Sequence, residues 1–348
     1  MASIRVRGGW LALLLSAALA VAGCGGSDSD GKGEVGANVT SMAVFGDSLS
    51  DLGTYQVGQA AAVGGGRFTT NPGRLWVEYV ADYYGVTVSK NRAGGFGVPF
   101  TVLGGTGYAE GGARVALRPG VSCPDGASGC TLPGQATRPI MEQVAAHIAA
   151  SGGALSNKQL VLMLGGNNDM LVQATAVNTA GGSATAVAAA QQAMGVAGGT
   201  LGTAARSLIT AGAGKVVILT PFDIAASPAG AAGTDASRGL LQGLMLAFNQ
   251  GLQTAVAGQS NIVVVSTTDF QYDVRANPAA YGMVNVTSPA CNVAILPGQS
   301  SLFCSAATLV ATNAQNNYMF ADGLHPTAGT HAQFGNYVVQ RIGAAVPR

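Results

Sequence analysis

Ser41-Met42-Ala43-Val44-Phe45-Gly46-Asp47-Ser48-Leu49-Ser50-Asp51 opens as an apolar run and ends in Gly-Asp-Ser. A run that short, closed by a glycine, predicts a buried strand entering a tight turn. Open α/β sheets bind their ligands just past the carboxyl ends of the strands. Ser48 is therefore a candidate for chemistry as well as for turn formation. Asp47 and Ser50 are expected to hydrogen-bond nearby backbone and fix the turn.

Three later runs have the same character. Leu160–Leu164 stops at Gly165-Gly166, Val216–Leu219 stops before Pro221, and Ile262–Val265 follows Asn261. Continuous aliphatic runs, rather than alternation, indicate strands buried on both faces of a parallel sheet. Val86–Ser89 is a weaker strand candidate. Helical spacing recurs between the runs: Trp76, Tyr79, Val80 and Tyr83; Ile140, Val144 and Ile148; the Ala-rich stretch 184–211; Leu240, Leu244, Phe248 and Leu252; and Phe334, Val338 and Ile342. The alternation predicts a doubly wound α/β/α sandwich around a parallel sheet. One domain is expected over residues 41–348. Segments 58–74, 91–106, 119–138 and 273–318 read as long loops, which usually carry function.

Charged residues make up only 9% of the 348, against roughly 25% in a typical soluble chain. The surface must be largely neutral and polar. With a net charge of +1 and no Lys/Arg cluster, there is no electrostatic footprint for nucleic acid.

Arg5 and Arg7 precede the apolar stretch Trp10–Val21, which is too short for a bilayer span. It ends in Val21-Ala22-Gly23-Cys24, which resembles a bacterial lipoprotein box. That resemblance implies removal of residues 1–23, lipidation of Cys24 and attachment to a membrane. The alternative is an ordinary signal peptide cut near the same place, and both readings export the protein to the cell envelope or beyond. Residues 24–40 have no periodicity and read as a flexible tether. Cys123, Cys130, Cys291 and Cys304 remain, an even number that suggests disulfides in an exported chain. Of three connectivities, the local pairs Cys123–Cys130 and Cys291–Cys304 are expected, since each brackets a loop-like stretch. There is no C-x-x-C pair and no histidine near either cluster, so neither metal nor other cofactor is expected.

The chemistry gathers near the C-terminus, at Asp322-Gly323-Leu324-His325-Pro326. Pro326 biases His325 toward extended backbone, and Thr327 is placed to cap a following helix. An Asp three residues before a His can accept a hydrogen bond from Nδ1–H and leave Nε2 as a general base. With Ser48, these are the parts of an activated nucleophile. The other histidines, His147 and His331, lie on apolar helix faces and read as structural. Gly165-Gly166-Asn167-Asn168-Asp169 follows a strand, where an Asn amide can donate to a developing oxyanion; a plain turn would use the same residues. Gly111-Gly112 would let backbone N–H groups approach a ligand. No G-x-S-x-G elbow and no H-E-x-x-H occur, and Gly212-Ala213-Gly214-Lys215 lacks the upstream glycine of a P-loop.

Four segments then resemble, in order, blocks of the GDSL family, also called SGNH hydrolases. They are Gly46-Asp47-Ser48-Leu49, Tyr108-Ala109-Glu110-Gly111-Gly112-Ala113, Gly166-Asn167-Asn168-Asp169 and Asp322–Pro326. The Trp76-Val77-Glu78-Tyr79 helix after Asn71-Pro72-Gly73 resembles the lipase-like branch. The resemblance implies a three-layer α/β/α sandwich of flavodoxin type, with Ser48 as nucleophile, His325 as base and Asp322 orienting it. It also implies an oxyanion hole from the N–H groups of Ser48 and Gly112 and the side chain of Asn168. Gly107 stands where the family's second block usually opens with Asn. The expected function is an exported serine esterase or lipase working through an acyl-enzyme on lipid or short-chain esters. A polysaccharide deacetylase or polyester depolymerase would use the same site. A ligand-binding surface lipoprotein would not need the complete set. Activity is expected to rise as one imidazole deprotonates, near the reference value of about 6.5.

Overall fold

The computed structural model describes residues 39–121 and 135–347. Strand β1 (Ser41–Gly46) leads to helices α1 (Gly58–Ala62) and α2 (Trp76–Tyr84), then to the hairpin of β2 (Arg92–Gly95) and β3 (Val98–Val102). Next come α3 (Ile140–Ala150), β4 (Gln159–Leu164), α4 (Asn167–Thr179) and α5 (Ala184–Thr210). The third stretch holds β5 (Lys215–Leu219), α6 (Pro228–Ala231), α7 (Asp235–Val256), β6 (Ile262–Val265) and α8 (Thr267–Ala276). The chain closes with β7 (Asn285–Pro289), α9 (Ala314–Asn317), β8 (Tyr318–Phe320) and α10 (Ala328–Ile342).

The four apolar runs pair as one parallel sheet in the order β1-β4-β5-β6. Val44 lies opposite Leu162, Leu162 opposite Val217, and Val217 opposite Val263. Because successive side chains point to opposite faces, each strand feeds two cores. Phe45, Met163 and Ile218 face Ile140 of α3, Leu208 of α5 and Phe248 of α7. Val44, Leu162 and Val217 face Trp76 of α2, Phe270 of α8 and Phe334 of α10. This is the expected three-layer α/β/α sandwich. A third, smaller core of Tyr55, Phe68, Leu302 and Phe303 gathers around the Cys291–Cys304 disulfide.

Several expectations need correction. Val86–Ser89 forms no strand; Lys90 alone bridges to Gly107, which bridges in turn to Val44. The sheet edge beside β1 is thus made of single bridges. The expected loop 91–106 contains the β2–β3 hairpin, and 273–318 contains β7, which pairs parallel with β8. These strands are short and partly exposed, so they leave little periodic trace in sequence. Thr40, placed in the tether, already donates to Lys158 O at 3.1 Å. The leader, Cys24, residues 24–38 and the Cys123–Cys130 pair lie outside the described residues. No described helix is long and apolar enough to cross a membrane.

Candidate active site

β1 must turn sharply where it meets β4. Gly46 does so at φ +151°, where an added Cβ would lie 2.2 Å from Leu164 O. Only glycine can hold that register and turn. The Gln143 side chain of α3 bonds both Gly46 N and Gly46 O at 2.9 Å, fixing the strand end. Asp47 then caps a 3-10 turn over Ser48–Ser50 by accepting from Leu49 N at 3.1 Å. Ser48 is the first residue of that turn, at the carboxyl edge of the sheet. Ser50 does not brace the turn with its side chain as expected: its hydroxyl accepts from Trp76 Nε1 at 3.2 Å and ties the turn to α2. Asp51 accepts from Thr54 N at 2.7 Å and from Gly111 N at 2.8 Å, joining the first and second sequence blocks.

β8 delivers the other half. Ala321 N donates to His325 O at 2.7 Å and closes a tight loop. Asp322 accepts from the backbone N–H groups of Leu324 and His325, each at 2.8 Å, and from Ser301 N at 2.7 Å. Its carboxylate meets His325 Nδ1 at 2.8 Å. An ionised carboxylate only accepts, so Nδ1 carries the proton and Nε2 is free to accept. His325 Nε2 lies 2.9 Å from Ser48 Oγ. Thr327 caps α10, accepting from Thr330 N at 3.2 Å, as its position predicts. Phe68 covers the imidazole, with ring centroids 5.2 Å apart.

The electrostatics follow from that contact. Burial alone would raise Asp322, but the neighbouring His325 charge and the hydrogen bonds outweigh it and hold the acid well below the usual carboxylate range. Burial alone would lower His325, but Asp322 more than offsets it and raises the imidazole above its ordinary 6.5.

Three donors stand beside Ser48. Gly111 N is spent on Asp51, whereas the N–H groups of Gly112 and Ser48 have no acceptor among the described residues. Gly112 sits at φ +79°, the left-handed region that suits glycine. Asn168 Nδ2 donates one hydrogen to Ala113 O at 2.9 Å and keeps its second. Ser48, Gly112, Asn168 and His325 all line one open cleft of about 500 Å³. A hydroxyl bonded to an imidazole, the imidazole bonded to a carboxylate, and N–H donors near the hydroxyl form an arrangement that suits acyl transfer.

A family model for GDSL-like lipases and acylhydrolases matches residues 42–338. The chain belongs to this family. No curated protein matches it.

As a GDSL acylhydrolase, the chain acts on ester substrates by family membership. Its departure from the second block has a local reason. A Cβ on Gly107 would meet Leu52 Cδ1 at 2.6 Å and Ser89 O at 2.9 Å, so no Asn fits. Asn91 Nδ2 instead donates to Gly105 O at 3.0 Å. The second block is further held by buried Glu110, which pairs with both Arg92 and Arg138 at 2.6 Å. Sequence reasoning singled out none of Asp51, Phe68, Gln143, Glu110 and Ser301. The one available signal was Gln143, a polar residue beside Val144 on an apolar helix face. His147 and His331 are structural, as read. His147 bonds Gln159 Oε1 at 2.9 Å, and His331 Nδ1 accepts from Trp76 N at 3.4 Å.

Proposed function

We propose that this acylhydrolase is a serine esterase with Ser48 as nucleophile, His325 as general base and Asp322 as the acid that orients it. The 2.9 Å contact between His325 Nε2 and Ser48 Oγ carries the reading. Ser48 Oγ attacks the ester carbonyl carbon as its proton passes to Nε2. The carbonyl oxygen becomes an oxyanion and sits among Ser48 N, Gly112 N and Asn168 Nδ2. The bond to the alcohol breaks as Nε2 returns the proton to the departing oxygen. The acyl group remains on Ser48. Water then gives a proton to Nε2 and attacks the same carbon. Ser48 Oγ leaves, recovers the proton, and the acid is released. Asp322 stays ionised throughout and fixes the Nδ1–H tautomer.

The protein is further proposed to be exported and anchored through a lipid on Cys24. The support is the sequence Val21-Ala22-Gly23-Cys24 behind Arg5, Arg7 and the apolar stretch Trp10–Val21. Labelling cells with a radioactive fatty acid tests the anchor: label in the wild type and none in Cys24→Ser is expected.

The esterase is tested by hydrolysis of nitrophenyl esters from acetate to palmitate, beside Ser48→Ala. Turnover by the wild type and none by the variant is expected. Equal turnover by both would remove Ser48 from the chemistry.

A further inference from the structure

Two cavities meet at Ser48. One is the open cleft of about 500 Å³. The other is a smaller pocket of about 40 Å³ whose lining includes Leu49 and Phe222. Ser48, Asn168, Leu171, Leu324 and His325 line both, so a single ester can occupy the two together.

The pocket is small, and part of its lining is held by hydrogen bonds and a ring contact. A water needs about 10–15 Å³ on this measure, so the space takes about three water-sized groups. Its lining includes Asp223 and Gln271, both buried. The Gln271 side chain bonds Asp223 N and Asp223 O, each at 2.9 Å, and Tyr272 donates to the Asp223 carboxylate at 2.6 Å. Phe222 is backed by Phe334, with ring centroids 5.1 Å apart. Extending the pocket would break these contacts. Asp47 also lines it, and its Oδ2 is buried without a hydrogen-bond partner among the described residues. Burial pushes that acid up to about 7, so near neutrality much of it is uncharged and tolerates an adjacent alkyl group.

The direction of the ester turns on the surroundings of His325. The leaving alcohol must receive a proton from His325 Nε2. Phe68, which covers the imidazole, and Asp322, which holds its Nδ1, line the cleft and not the pocket, as does Gly112, whereas His325 itself and Leu324 line both. The groups packed on the imidazole and the larger volume are both on the cleft side, and the alcohol is assigned there. We infer that the smaller pocket is the acyl site and the cleft the alcohol site, so the preferred substrates are esters of short acids, about two to four carbons, with bulky alcohols. This rests on the esterase reading above and narrows it toward removal of acetyl-sized groups from large molecules.

The test uses the full-length chain, its Ser48→Ala variant, and two variants that widen only the pocket, Phe222→Ala and Ile224→Ala. Substrates are nitrophenyl acetate, butyrate and octanoate, together with naphthyl acetate and methyl octanoate. In the wild type, kcat/KM is expected to fall by at least about tenfold from butyrate to octanoate, and naphthyl acetate to outrun methyl octanoate. In either widened variant that folds, as judged by circular dichroism, the octanoate-to-acetate ratio is expected to rise severalfold. Octanoate cleaved as well as acetate, in a reaction that Ser48→Ala abolishes, overturns this inference alone. Preference for methyl octanoate over naphthyl acetate reverses the seating and also overturns it. No turnover of any ester by the folded wild type overturns the esterase reading, and this inference falls with it.

Discussion

The backbone N–H of Ser301 donates to Asp322 Oδ2 at 2.7 Å, so the acid beside His325 is held from outside its own loop. Ser301 lies inside the loop closed by Cys291 and Cys304, and Asn71 Nδ2 grips its carbonyl at 3.1 Å. The same loop supplies Gly298, Gln299 and Ser300 to the cleft. The bridge spans 13 residues, and closing a loop of that size restricts the unfolded chain by about 3 kcal/mol. Replacing both cysteines by serine is expected to lower the thermal midpoint. It should also lower kcat well below that midpoint, because Asp322 loses a fixed donor. Thermal unfolding and ester hydrolysis of the double variant check both. A folded variant with unchanged kcat would mean that Ser301 is held without the bridge.

In the proposed mechanism the pair of Asp322 and His325 sets the pH dependence. The base works when neutral, and Asp322 raises the imidazole above 6.5, so activity should climb through a midpoint above that value. Asp322→Asn removes the main raising influence and leaves burial, the largest lowering one, against only the weaker pull of Asp47. Its midpoint should therefore move down. By analogy with other triads, kcat should also fall by about 10⁴, because the amide no longer enforces the Nδ1–H tautomer. The check is kcat/KM from pH 5 to 9 for both proteins. A wild-type midpoint at or below 6.5 would contradict the contact geometry.

Asn168 has one hydrogen committed to Ala113 O, and the proposed oxyanion hole uses the other. Asn168→Ala is expected to reduce kcat by about 10²–10³, with a smaller change in KM, since the oxyanion exists only near the transition state. Because Ala113 O also loses its donor, the thermal midpoint must be measured alongside. A loss below about tenfold in a folded variant would remove Asn168 from the hole.

The sheet and the contact of Asp322 with His325 could be read from sequence because their causes are local. β1, β4, β5 and β6 are continuous apolar runs, and Asp322 reaches His325 across three residues. The start of α4 could not be read that way. Gly166 and Asn167 look like turn residues, yet Gly166 at φ +107° precedes a helix and Asn167 bonds Phe222 N and Phe222 O, 55 residues away. Helix α8 escaped because Phe270 and Val274 are its only large aliphatic or phenyl side chains in the core. Asp51 and Gln143 owe their roles to Gly111 and Gly46, partners 60 and 97 residues distant. Such pairings leave no periodicity to detect.

Asp47 links the site to stability. Burial raises its acid from 3.8 to about 7, against the lowering effect of the Leu49 N–H bond. Between those values the folded chain holds a proton that the unfolded chain releases, so this group makes stability fall as pH rises. His331 acts in the opposite sense. Burial pushes it from 6.5 to about 3, and between those values the unfolded chain binds the extra proton, so stability grows with pH. The two slopes oppose each other across mildly acidic pH, and Asp51, raised to about 6 by burial, adds to the Asp47 side. Asp47→Asn keeps the oxygen that Leu49 N uses and cannot ionise. Its stability relative to the wild type should be near zero around pH 4, grow as pH rises, and level off above about 7. With about 1.4 kcal/mol per pKa unit, the plateau is of the order of a few kcal/mol. Urea unfolding of both proteins at pH 4, 5.5, 7 and 8 measures the difference. A difference that does not change with pH would show that the Asp47 carboxyl ionises in the folded protein as it does in the unfolded chain.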